Sequence, residues 1–209
     1  MVRAPRVVND GRDGMTETSA GLGADDEDGR LVARLAAGDR DALVALYERY
    51  QRPLFGYLLR LTDDRGLAEE VLQDTLLALW RGAGSFAGRS GARTWIFGIA
   101  HRQAHNALRR RGVPRADAEA STGLEDVPDA GPGPEDYALA GAARADLIRA
   151  LSRLSPAHRA VLSLTLVQGL PQQDVADVLG VPLGTIKSRL HTAKAALRLA
   201  LTQQEEDDA

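Results

Sequence analysis

The stretch from Leu170 to Leu201, LPQQDVADVLGVPLGTIKSRLHTAKAALRLAL, constrains this chain most, because it leaves room for two helices and almost nothing between them. The first helix runs from about Pro171, whose missing N–H and fixed φ suit the first helical position, to Gly180, which accepts the left-handed conformation that ends a helix. After the Val181-Pro182 turn, Ile186, Leu190, Ala193, Leu197 and Leu201 recur at helical spacing, so one stripe requires burial. Thr185, Lys187, Ser188, Arg189, His191, Thr192 and Lys194 crowd the first three turns with hydrogen-bond donors and include no acid. A helix selected only for solubility mixes signs, since acidic and basic groups at i,i+4 stabilise each other. The plain alternative is a solvated amphipathic hairpin. The unmixed basic and hydroxyl face instead fits a helix whose N-terminal half lies in a DNA major groove.

A net charge of −3 taken alone opposes a polyanionic partner, but its distribution does not. Residues 30–115 carry 15 Lys/Arg against 8 Asp/Glu, and residues 137–201 carry 8 against 3, net +7 and +5. The negative charge lies in residues 1–29 (net −4), 116–136 (net −7) and 202–209 (net −4). Two basic bodies on acidic connectors suit two separate contacts with a polyanion. Cysteine is absent, which excludes disulfides and thiolate metal sites. No apolar run approaches a membrane span, so the expected location is cytoplasmic, without membrane insertion.

Residues 1–29, rich in Gly and Asp with the run Asp25-Asp26-Glu27-Asp28, read as a disordered acidic tail. From Leu31 the apolar residues take helical spacing through Leu61, with a kink expected at Pro53. Thr62-Asp63-Asp64 offers an N-cap to the next helix, which points Leu67, Val71, Leu72, Leu76, Leu79 and Trp80 inward and Glu69, Glu70, Gln73 and Asp74 outward. Residues 82–95, GAGSFAGRSGARTW, read as a loop whose basic groups Arg89 and Arg93 and aromatics Phe86 and Trp95 can hold unstacked bases. The alternative, that both aromatics plug the core, is stronger for Trp95. The helix that follows packs through Trp95, Ile96, Ile99, Ala100 and Leu108 and ends on Arg109, Arg110 and Arg111. Residues 116–136 have the Pro/Gly/acidic makeup of a flexible linker, and residues 202–209 read as an acidic tail. Helices resume near Tyr137, with Ser155-Pro156 as a further start signal. The fold class is therefore all-α, in two helical domains at 30–115 and 137–201.

The succession SFAGRSGARTWIFGIAHRQAHNALRRR, an acidic linker, and VPLGTIKSRLHTAKAALR closely resembles bacterial extracytoplasmic-function sigma factors, over about residues 31–115 and 137–201. The resemblance implies a dissociable RNA polymerase subunit with sigma-2 and sigma-4 domains, no catalytic chemistry and no cofactor. It implies minus-35 contacts from Thr185, Lys187, Ser188, Arg189, His191, Thr192 and Lys194. It implies minus-10 contacts from Phe86, Arg89, Arg93, Trp95, Arg102, Asn106, Arg109 and Arg110. Glu69, Glu70, Gln73 and Asp74 resemble the face that docks on the polymerase β′ clamp helices, and the linker resembles one that enters the RNA-exit path. The implied partners are RNA polymerase core through its β and β′ subunits, promoter DNA and an anti-sigma factor. Two positions depart from many relatives: Arg102 stands where they carry Asn, and Asn106 where they carry an acid. Thr192 likewise replaces a common basic residue.

Three other readings compete. A helix-turn-helix regulator binding DNA without polymerase leaves the aromatic-basic loop unexplained. A protein-only adaptor leaves the basic recognition face unexplained. An enzyme or metal site would rest on His101 and His105, at i and i+4, without a suitable third ligand nearby.

Overall fold

The computed structural model describes residues 18–112, 147 and 149–207, with side chains described over 26–112, 147 and 149–203. Helix α1 (Thr18–Ala36) leads into α2 (Arg40–Thr62), α3 (Arg65–Gly82), a 3-10 turn (Ala83–Ser85) and α4 (Ala92–Arg110). In the second half, helical residues 149–152 precede α5 (Pro156–Leu162), a π-helical turn (Ser163–Val167), α6 (Gln172–Leu179) and α7 (Leu183–Asp207). No strand occurs among the described residues. The linker at 116–136 lies outside them.

The reading of 1–29 as a disordered tail fails from Thr18 onward, where α1 begins. Its acidic run does not repel itself apart because α2 supplies counter-charges some twenty residues downstream. Asp28, only 3% exposed, accepts from the Tyr50 hydroxyl and from Arg49, and Arg49 also pairs with Glu27 at 2.7 Å. These partners push the Arg49 pKa still higher, so the guanidinium is a fixed cation. At the other end, residues 202–207, read as part of a tail, continue α7.

Asp39 starts α2 by accepting from the backbone N–H of Asp41 at 2.9 Å and of Ala42 at 3.4 Å. The helix runs through Pro53 without a break in assignment. The Thr62-Asp63-Asp64 signal divides into three roles. Thr62 bonds back to the Leu58 carbonyl, Asp63 takes a left-handed turn at φ 55°, and Asp64 alone caps α3, accepting from Leu67 N at 2.8 Å. Along α3, Leu67, Val71 and Leu79 are buried as the periodicity requires, while Leu72 and Leu76 are half-buried. Trp80 is a correction: it is 47% exposed, and the buried stripe is instead Val71, Thr75 and Leu79, with Thr75 bonded to the Val71 carbonyl. At the centre, fully buried Tyr57 and Phe97 meet edge to face at 5.6 Å, surrounded by Leu46, Leu54, Leu58 and Ile96.

In the second half, Ser155 caps α5 by accepting from His158 N at 3.4 Å. Pro171 sits one residue before α6, as its cap, rather than in its first turn. Gly180 ends α6 at φ 66°, the left-handed conformation that the sequence assigned to it. Ile186, Leu190 and Ala193 are buried, and Leu197 and Leu201 half-buried.

The halves are not separate bodies. Helix α4 packs on α6, α2 packs on α5, and one continuous apolar core runs through both. The two expected helical domains are both present, and in this structure they pack on each other.

Candidate nucleic-acid interface

The short turn between α6 and α7 fixes the recognition surface. Thr185 N and Ile186 N both bond the Pro182 carbonyl, at 2.9 and 3.2 Å, so α7 begins immediately after the turn. Burial of Ile186, Leu190 and Ala193 then forces Lys187, Ser188, His191, Thr192 and Lys194 to solvent on one face. Thr185 and Arg189 lie half-buried at its margin. Ser188 bonds back to the Thr185 carbonyl at 3.0 Å. Arg189 stands close enough to His158 of α5 that its charge, after burial, helps lower the His158 pKa. His158 therefore does not compete as a cation on this face.

The second surface is built on the loop after α3 and on α4. The rings of Phe86 and Trp95 pack at 5.1 Å and 46°, each half-buried, so neither is wholly in the core. Arg89 is exposed on the loop. Along α4, Trp95, Arg102, Asn106 and Arg109 recur at intervals of seven, four and three, one helical face, and the last three are exposed. Arg109 donates to Asn106 Oδ1 at 3.3 Å. A Cβ on Gly98 would lie 3.9 Å from Arg102 Nη1, so this guanidinium reaches back along α4 toward Trp95.

Two members of the expected set are placed apart from that face. Arg93 is half-buried against the second half, donating to Gln168 Oε1 at 3.3 Å. Arg110 faces α3, 3.7 Å from Asp74 and 4.0 Å from Glu70, while Arg111 pairs with Asp64 at 2.7 Å and Glu70 at 3.7 Å. The α4 terminus thus bridges the Arg102, Asn106 and Arg109 face to the acidic face of α3. On that face Glu69, Glu70 and Gln73 are exposed and Asp74 half-buried. Leu77 and Trp80, 46% and 47% exposed, extend it by one turn beside a groove of about 470 Å³ lined by Asp74, Leu77, Ala78, Arg81, Gly82 and Gln103. Sequence periodicity missed these two, since it counts apolar residues as inward. The signal that could have found them is that 76, 77, 79 and 80 are too many apolar positions for one buried stripe.

His101 is a core group rather than a ligand. Its Nδ1 lies 2.8 Å from the Tyr57 hydroxyl, and burial, then the charges of His105 and Arg102, push its pKa down to about 4. No cluster of three metal-ligating side chains occurs among the described residues. No helix among them is long and apolar enough to cross a membrane.

Fold and surfaces together define a helix-turn-helix nucleic-acid-binding protein built from two helical halves. The family comparisons resolve which kind. Sigma-70 region 2 matches residues 46–113, and Sigma-70, region 4 matches residues 144–197. The chain is 34% identical over 176 residues to the ECF RNA polymerase sigma factor SigL of Mycobacterium tuberculosis, covering 82% of this chain and 96% of the relative. It is 32% identical over 186 residues to the RNA polymerase sigma-H factor of Pseudomonas aeruginosa, covering 84% and 94%. Among solved structures, the sigma factor RpoE of Bartonella quintana, in complex with the anti-sigma factor NepR, is similar at 26% identity and TM-score 0.58, over 76% of this chain and 97% of that one. CnrH, in complex with the cytosolic domain of CnrY, shares the fold at TM-score 0.60 and 24% identity, over 84% and 97%. The chain belongs to the extracytoplasmic-function family of RNA polymerase sigma factors, alternative sigma factors that direct transcription initiation.

Proposed function

We propose that this sigma factor divides promoter recognition between the surfaces just described, with boundaries near 30–115 for the sigma-2 part and 137–201 for the sigma-4 part. The exposed face of α7, Lys187, Ser188, His191, Thr192 and Lys194 with Thr185 and Arg189 at its margin, reads the minus-35 element in the major groove. Phe86, Arg89 and Trp95, continued by Arg102, Asn106 and Arg109, capture a base of the melted minus-10 strand, while Arg93 and Arg110 lie off that face. The α3 face of Glu69, Glu70, Gln73 and Asp74 docks on polymerase core, with Leu77 and Trp80 supplying apolar contact. The observation that carries the assignment is the α7 face, where burial of Ile186, Leu190 and Ala193 leaves donors of one charge sign together at a helix start.

The role needs no catalytic residue or cofactor in this chain: the polymerase makes the RNA, and this subunit supplies binding. Its place of action is the cytoplasm, with the polymerase. An anti-sigma factor is the further partner, a reading supported by the likeness to RpoE, solved in complex with one. Run-off transcription with purified core polymerase tests the function. Specific starts that appear only when this chain is added are expected. Tight sequence-specific DNA binding by the chain alone, with no effect on core, would instead assign it to the polymerase-independent regulators.

A further inference from the structure

The groove between α3 and α4 lies on a different side of α3 from its acidic stripe. At 3.6 residues per turn, Glu69, Gln73 and Trp80 recur on one line of the helix, and Asp74, Ala78 and Arg81 on another about a third of a turn away. The second line meets Gln103 of α4, and with Leu77 and Gly82 these residues enclose about 470 Å³. Sites that hold small ligands span about 300–1,000 Å³.

The groove adjoins, on two sides, the surface assigned above to the minus-10 strand. A Cβ on Gly82 would lie 3.7 Å from Trp95 Cζ2, so the indole that packs on Phe86 also backs the groove. Along α4, Gln103 follows Arg102 directly and precedes Asn106 by three residues, which makes it their neighbour on the helix surface. A strand held on Trp95, Arg102 and Asn106 therefore passes the mouth of the groove.

The polar groups there have bonding capacity to spare. Gln103 is half-buried and makes no hydrogen bond among the described residues, nor does the exposed Arg81. Asp74 meets Arg110 only at 3.7 Å, beyond hydrogen-bond reach, so its carboxylate keeps lone pairs to offer. Asp74 and Arg81 are seven residues apart, about 10 Å of helix rise, and Leu77, Ala78 and Gly82 supply apolar surface alongside. An acceptor, a donor and an amide that is both, set around apolar surface, complement the edge and the face of a nucleobase. A carboxylate in the set favours a base with an exocyclic amine to donate, adenine, cytosine or guanine, over thymine, which has none.

We propose that this groove is a second base site, holding one amine-bearing base of the melted minus-10 strand in addition to the base captured at Phe86 and Trp95, with Gln103 as its specificity-determining residue. The proposal rests on the assignment of the α4 face to that strand.

The test uses holoenzyme assembled from core polymerase and the full-length chain. The DNA is a promoter selected from a library randomised at the minus-10 element and melted in advance by a mismatched template strand. Single abasic sites are moved along the other strand, and the lifetime of the complex is measured at each. Two positions are expected at which loss of the base shortens the lifetime at least about fivefold, the lower bound for a specific base contact. Asn106→Ala should remove the sensitivity of one position, and Gln103→Leu that of the other. At the Gln103 position, thymine should cost the parent as much as the abasic site and should cost Gln103→Leu nothing further. Gly82→Leu, whose Cβ finds room beside Trp95 and whose side chain fills the groove, should repeat the Gln103→Leu result. A single sensitive position that responds to Asn106→Ala alone would overturn the second site and leave the strand assignment standing. No position that responds to either variant would overturn the assignment of the α4 face as well. Weaker binding of core by Gln103→Leu, measured in competition with labelled parent, would make the groove part of the polymerase contact and overturn the proposal.

Discussion

Replacing Asp63 by Asn removes the counter-charge of a guanidinium that is only 3% exposed, while keeping the left-handed backbone at φ 55° that Asn tolerates. Asp63 is itself nearly covered, its side chain 13% exposed, so little solvent screens the pair. Removing one partner of such a pair leaves an uncompensated buried charge, a loss of about 3–5 kcal/mol. The 3.4 Å separation and the orphaned Arg159 atoms place the expectation at the lower end, about 3 kcal/mol. Arg159→Met removes the other charge and keeps the length of the side chain, and it should cost a similar amount by stranding the Asp63 carboxylate. The double variant swaps the pair for neutral groups of similar volume, which is commonly close to neutral. Urea unfolding of the four full-length proteins measures this. Each single change should lower the midpoint by about 1 M, for a slope of about 2–3 kcal/mol per M, with the double variant near the parent. Single losses that simply add in the double variant, to within about 0.5 kcal/mol, would show that the pair is not coupled and would refute the reasoning.

Asp28→Ala should destabilise by about 1–3 kcal/mol, because it removes a buried carboxylate that accepts from the Tyr50 hydroxyl and from Arg49, which keeps only Glu27 as an ion-pair partner, and calorimetry should show the loss. His101, held near pKa 4 against about 6.5 when unfolded, binds its proton first in the unfolded chain. Its contribution is therefore complete above about pH 6.5 and is lost as pH falls toward 4, by at most about 3 kcal/mol. His101→Gln should flatten that part of the urea-midpoint profile, and an unchanged slope would contradict the burial argument. Arg102→Asn should change the preferred minus-10 bases while leaving the minus-35 preference alone, because an amide presents a donor and an acceptor and a guanidinium only donates. Transcription from a library randomised at the minus-10 element decides this, and reduced yield with unchanged preferences would make Arg102 a plain phosphate contact. Replacing Lys187 and Arg189 by Ala should each weaken promoter binding by the holoenzyme. A base contact costs about 1–3 kcal/mol with relaxed preference at one position, and a phosphate contact weakens all sequences alike.

The helices and the exposed donor face of α7 were legible in the sequence because the forces that set them act within a few residues. Pro171, Gly180 and the spacing of Ile186, Leu190 and Ala193 fix where α6 stops and which side of α7 meets solvent, whatever surrounds them. Asp64 and Ser155 cap their helices through backbone groups three residues away, whereas the Asp39 cap was not read from the sequence. The errors have the opposite character. The acidic run before Leu31 reads as unfoldable until Tyr50 and Arg49 are brought beside Asp28, and Trp80 reads as core although the structure leaves it 47% exposed. No local pattern shows that Arg93 meets Gln168, or that Arg110 meets Asp74 and Glu70. The sequence by itself determined the helices, their caps and the donor face of α7, since these depend on local periodicity and backbone geometry. Only the tertiary structure decided which charges meet, that α6 closes over the first turn of α4, and which apolar side chains stay exposed. Those outcomes depend on residues 20 to more than 100 positions apart, whose pairing no local pattern encodes.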